Sequence, residues 1–106
     1  MSEAIKELTN ASDFQTETQT GVVLVDFFAS WCRPCQMQLP ILQAVAEKVA
    51  GVKFLKVDTD KFGAIAQQFG VSSIPTLVVL KNGNVVERLT GLQQEGTLVS
   101  SLQKQL

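Results

Sequence analysis

With 106 residues and 45% apolar side chains, the chain is long enough to bury a core without staples, and it is read as one domain over residues 1–106. Nine basic against ten acidic side chains leave a net charge of −1, which argues against nucleic acid as a partner. No apolar run reaches membrane-spanning length, and Met1 to Asn10 carries charges among isolated apolar residues, so neither a membrane span nor a secretory leader is expected and the cytoplasm is the default compartment.

Ala4 to Leu8 reads as a short edge strand, and Asn10 to Glu17 as a short helix capped by Asn10 or Ser12, with Phe14 marking its apolar face. Val22 to Val25 runs into Phe27 and Phe28 with one break at Asp26; its continuous β-branched and aromatic character predicts a central strand covered on both faces. Ile41, Leu42, Val45, Ala46 and Val49 recur at helical spacing and predict a helix from about Pro34 to Val49, kinked at Pro40. Val52 to Val57 is a further strand. Phe62, Ile65, Ala66 and Phe69 form one helical stripe, ended by Gly70. Thr76 to Leu80 and the more polar Val85 to Thr90 are strands joined by an Asn82-Gly83 hairpin turn. Leu98, Val99, Leu102 and Leu106 mark a closing helix. The order β-α-β-α-β-α-β-β-α predicts an α/β fold: a mixed sheet in which the early strands are parallel, the hairpin adds antiparallel strands, and helices cover both faces.

Both cysteines stand in Trp31-Cys32-Arg33-Pro34-Cys35, between the central strand and the long helix. Two intervening residues bring the sulfurs into bonding range when the pair straddles a first helical turn, where free N–H groups and the positive dipole end favour a thiolate on Cys32. Pro34 has no N–H to leave unpaired there, and its fixed φ limits how far the sulfurs part. Cys35, one turn on and buried, is placed to attack a mixed disulfide formed on Cys32. Two alternatives stand beside this redox reading. Half of a zinc or iron–sulfur site would need ligands from a second chain, since there is no other cysteine and no histidine. A structural disulfide closing so short a loop would constrain the unfolded chain little. No metal is expected.

Phe27 to Cys35, Val57-Asp58, Ile74-Pro75-Thr76, Lys81-Asn82-Gly83 and Gly91 together resemble the thioredoxin family across essentially the whole chain. The resemblance implies the thioredoxin fold, with a central mixed five-stranded sheet, and reduction of disulfides in protein substrates. It implies Cys32 as nucleophile, Cys35 as resolving thiol, no bound cofactor beyond the redox-active Cys32–Cys35 disulfide, and a flavoprotein thioredoxin reductase that restores the dithiol. The remaining partners implied are diverse disulfide-containing client proteins, met by a monomer acting in electron transport and cell redox homeostasis.

Asp26 interrupts a strand that is apolar at both alternating sets of positions, so neither face offers it water, and a buried carboxyl titrates high. Thioredoxins carry an aspartate here behind the second cysteine, and the resemblance makes Asp26 the proton acceptor and donor. Family members commonly set a lysine near it; the resemblance puts Phe54 at that position, and Lys56 has the same strand parity two residues further on. The resemblance also makes Pro75 a cis-proline, and makes Trp31, Ile74, Pro75 and Gly91 the border of a shallow apolar groove in which a target binds as an added extended strand. Arg33 departs from the glycine common in the motif; with Pro34 it is read as tuning the redox couple, its charge favouring the Cys32 thiolate and hence the reduced protein. Phe28 replaces a common tryptophan and is read as a packing change. A less reducing protein that isomerises or oxidises disulfides, and an interaction module with incidental redox cycling, are the rival functions.

Overall fold

Strands and helices alternate along residues 4–106, which the computed structural model describes; Met1 to Glu3, part of the N-terminal stretch read above as carrying no leader, lie outside them. The elements are β1 (Ile5–Glu7), a 3₁₀ turn (Ala11–Asp13), α1 (Phe14–Thr18), β2 (Val22–Phe28), α2 (Arg33–Lys48), β3 (Val52–Asp58), α3 (Gly63–Gln68), β4 (Thr76–Lys81), β5 (Asn84–Thr90) and α4 (Glu95–Gln103). They form one five-stranded sheet in the order β1-β3-β2-β4-β5. β3 runs parallel to β1 and β2, whereas β4 is antiparallel to both β2 and β5. The mixed sheet expected from the element order is therefore present.

The uninterrupted apolar run of β2 has its cause in this layering. Val23, Val25 and Phe27 face α1 and α3, packing with Phe14, Ile65 and Ala66, while Val22 and Leu24 face α2 and α4 with Leu42, Val45, Leu98 and Leu102. Val23, Leu24, Val25 and Phe27 retain no exposed surface, and each such side chain contributes about 1.5–3 kcal/mol by leaving water. β2 is thus held rigidly from both sides. Its C-terminal end, where the chain leaves the sheet for α2, is the place at which an open α/β sheet leaves room for a site.

The β4–β5 turn has positive φ at Asn82 (51°) and Gly83 (85°), the backbone a tight hairpin requires. Asn82 also ties this turn to β2, its Oδ1 accepting the Gly21 N–H at 2.9 Å. Two expectations are corrected. The segment Asn10 to Glu17 is not one helix: Asn10 Oδ1 accepts both the Ser12 N–H and hydroxyl, which fixes a 3₁₀ turn before α1 begins at Phe14. Leu106 lies beyond the end of α4 and is 62% exposed, so the closing apolar stripe stops at Leu102. No helix among the described residues is long and apolar enough to cross a membrane.

Candidate active site

The chain turns from β2 into α2 within Ala29 to Cys32, and the Cys32 N–H closes that turn on the Ala29 carbonyl at 3.1 Å. Cys32 is the N-cap of α2: its backbone is extended (φ −83°, ψ 114°) and its Sγ accepts the Cys35 N–H at 3.3 Å. A sulfur therefore occupies the place where a serine or aspartate oxygen usually satisfies a free helix donor, in the positive field of the helix start. Pro34 stands in the first turn, as its missing N–H allows. Cys32 and Cys35 are bonded as a disulfide, with Cα atoms 5.2 Å apart.

The two cysteines do not differ in burial. Cys35 is buried as expected, but Cys32 is equally so, each at 4% exposure. Ala29 packs beside them, with Phe28 and Ile74 at the edge of the cluster. The Ile74 carbonyl lies 3.8 Å from Cys32 Sγ, the Ile74–Pro75 peptide bond is cis, and the Pro75 carbonyl accepts the Gly91 N–H at 2.8 Å. Gly91 has φ +86°, a conformation that a side chain rarely adopts. Cys32, Ile74, Pro75 and Gly91 are thus brought to one place. Trp31 stands out from it, 70% exposed, with its indole N–H donated to Asp60 Oδ2 at 2.9 Å. Arg33 is exposed on the first turn of α2.

Below Cys35, on the α2 side of the sheet, Asp26 is 3% exposed and its Oδ1 has no hydrogen-bond partner. Burial pushes its carboxyl up to about 7, with the Lys56 ammonium pulling in the opposite direction. A cleft of about 100 Å³ connects the groups: Asp26, Cys35 and Lys56 share its lining with Phe28, Ala29, Ser30, Gln36 and Leu39. That volume has room for water between carboxyl and sulfur. The strand register corrects the expected alignment: Asp26 is opposite Lys56, and Phe54 is opposite Leu24. Phe54 packs instead in the core beneath α2 and α4.

Among the described residues no group of three or more histidine, cysteine, aspartate or glutamate side chains is placed to hold a metal ion. What the arrangement offers is a reversible dithiol at a helix start, with an acid of near-neutral titration behind it. The chain matches the thioredoxin family model over residues 4–104. The chain belongs to the thioredoxin family. It is 45% identical to the thioredoxin of Chlamydia muridarum over 98 residues, covering 92% of this chain and 96% of that protein. Against the thioredoxin of Staphylococcus aureus the identity is 41% over 104 residues, 97% of this chain and 99% of the other. The crystal structure of thioredoxin NaTrxh from Nicotiana alata superposes with a TM-score of 0.89 at 33% identity, over 99% of this chain and 96% of that one. The activity of this thioredoxin-family protein is accordingly dithiol–disulfide exchange: it is a protein-disulfide oxidoreductase whose redox-active disulfide is Cys32–Cys35.

The sequence did not single out Gln38 or Asp60. Gln38 is fully buried in α2, where its side-chain amide donates to the Gln93 carbonyl at 2.9 Å and accepts the Gln93 N–H at 2.8 Å. Gln93 in turn donates its side-chain N–H to the carbonyls of Thr90 and Gly91, so Gln38 braces the loop that carries Gly91. The signal was available: Gln38 is the polar member of a stripe, Cys35, Gln38, Leu42, Val45, that is otherwise buried and apolar. Asp60 carried no comparable signal, because a charged residue just past a strand is ordinary.

Proposed function

We propose that this protein reduces disulfides in client proteins with Cys32 as nucleophile, Cys35 as resolving thiol and Asp26 as the acceptor of the Cys35 proton. In the reduced protein the Cys32 thiolate attacks one sulfur of a client disulfide, forms a mixed disulfide and releases the first client sulfur as a thiolate that takes up a proton. Asp26 then receives the Cys35 proton through the cleft, and the Cys35 thiolate attacks Cys32 Sγ. This expels the second client sulfur and closes Cys32–Cys35; two electrons have passed to the client, and Asp26 returns its proton to the medium. The observation that carries the assignment is the asymmetry of the pair: the Cys32 sulfur caps the helix, whereas Cys35 lines the cleft shared with Asp26.

Trp31, Ile74, Pro75 and Gly91 border the docking surface in this reading; Pro75 is buried, so the client chain lies extended against the Ile74 backbone and its disulfide meets Cys32 in line. Main-chain contact of that kind tolerates many sequences. Arg33 and Pro34 tune the couple through charge and loop stiffness. A flavoprotein reductase returns the two electrons. The chain acts as a single domain over 1–106 and as a monomer, the face that carries the exposed Trp31 being kept for clients. A reducing compartment, the cytoplasm, suits this role because the pair must be held ready as a dithiol.

A single-turnover measurement tests the proposal. Reduced protein mixed with a disulfide-bonded protein substrate should lose its dithiol with the appearance of an equal amount of substrate thiol, followed through Trp31, the only tryptophan, as the neighbouring disulfide forms and quenches it. Oxidation of the pair without release of substrate thiol would refute it.

A further inference from the structure

Glu7, Lys56 and Asp26 stand in line across three adjacent parallel strands, β1, β3 and β2: Glu7 is opposite Lys56, and Lys56 is opposite Asp26. Directly opposed residues project from the same face of a sheet, here the face covered by α2. Lys56 therefore has a carboxylate on either side. Its Nζ lies 3.7 Å from Glu7 Oε1 and 4.8 Å from the centroid of the Phe28 ring, while Asp26 Oδ1 is left without a partner. Phe28 thus helps to place the ammonium, a role beyond the packing change read from the sequence.

We infer that Glu7 is a positioning residue for the exchange reaction: by pairing with Lys56 it holds the ammonium toward the outer strand and leaves the buried Asp26 carboxyl without an ion pair. This rests on the proposed role of Asp26 as proton acceptor. An ammonium seated on Asp26 would keep it ionised and weaken it as a base for the Cys35 thiol. The other elements against Asp26 offer no competing charge. β4 presents Leu77 opposite it, and α2 presents Cys35, the neutral Gln36 and Leu39 in the shared cleft. Asp58, on β3, has its Oδ1 committed to the Asp60 N–H at 2.9 Å. Glu7 itself is about two strand spacings, roughly 10 Å, from Asp26, with Lys56 standing between them, so the larger part of its influence passes through Lys56.

The experiment is a titration of the Asp26 carboxyl by NMR in the oxidised protein, where the bonded cysteines do not titrate alongside it. Glu7→Gln frees Lys56 and should lower the Asp26 midpoint by roughly 0.2–0.7 of a pH unit, the size of an exposed ion-pair coupling. With Lys56→Met in the background, Glu7→Gln should lose most of that shift. An unchanged midpoint in Glu7→Gln overturns the inference, and so does a shift that keeps most of its size without Lys56. The pH profile of Cys35 attack on a mixed disulfide is read separately. A midpoint that moves while this profile stays fixed counts against Asp26 as proton acceptor and leaves the positioning of Lys56 by Glu7 standing.

Discussion

Gln38 and Gln93 exchange two hydrogen bonds, a side-chain amide matched to the N–H and C=O of one backbone residue, across the boundary between α2 and the segment leading into α4. One side chain buried behind the cysteines thereby sets the position of the loop that carries Gly91. Gln38→Ala removes both bonds and leaves the Gln93 N–H and carbonyl to find other partners, at a cost of about 1–3 kcal/mol. Chemical denaturation should show that loss. Client reduction should weaken through KM while alkylation of Cys32 keeps its rate, because the helix start is untouched.

Cys32→Ser should abolish disulfide reduction. Cys35→Ser should still attack through Cys32 and stop as a stable mixed disulfide with the client, identified by mass spectrometry of the linked peptides. An adduct on Cys35 in the Cys32→Ser protein, formed at a comparable rate, would reverse the assigned roles.

Asp26 makes stability depend on pH with a determined sign. Its folded-state value of about 7 lies above the ordinary 3.8, so the folded protein holds the proton over a range in which the unfolded chain has lost it. Its contribution is fully present below about pH 4 and is lost as pH rises through about 7. Asp26→Ala should therefore gain stability relative to the parent across that window, by on the order of 4 kcal/mol between its two limits, and Cys35 attack should slow. Parallel denaturation of both proteins from pH 4 to 8 checks this; a difference that does not vary with pH contradicts a buried acid.

Arg33 is exposed beside Cys32, the nucleophile proposed above, so its effect on the thiolate is weakened by water. Arg33→Gln should make the couple more reducing by at most roughly 20 mV, equivalent to about 1 kcal/mol for two electrons, with the difference shrinking in high salt. Equilibration against a defined thiol buffer, read by Trp31 fluorescence, measures it. No change at low salt would leave Arg33 a solvated side chain without influence on the couple.

Strand positions and the site motif were legible because each depended on a local pattern: β2 on its unbroken apolar run, the hairpin on Asn82-Gly83, the cysteine pair on its place between strand and helix. The partner of Asp26 was not. Phe54 and Lys56 share one face of β3, so sliding β3 by two residues against β2 keeps every apolar side chain inside, and parity alone does not choose between them. Register is decided by where the strands start, with Val22 opposite Val52, a tertiary fact. The split of the first helix was hidden for a similar reason. Asn10 and Ser12 both looked like caps, and only their mutual hydrogen bonds show that one serves a 3₁₀ turn.

The 4% exposure of Cys32 has a consequence for which disulfides the protein opens. In the proposed reaction a Cys32 so buried, with the Ile74 carbonyl beside its sulfur, is reached by a narrow, in-line approach, and a client bond must protrude or its segment must come loose to make it. The rate for a given client then follows the free energy of that local opening, a property of the client. On this reading bonds in frayed or unfolded segments should be cut first, and those inside well-packed domains spared even where their potentials favour reduction. Selectivity of this kind needs no sequence signal in the client: the protein acts as a kinetic probe of how firmly a disulfide is held by the fold around it.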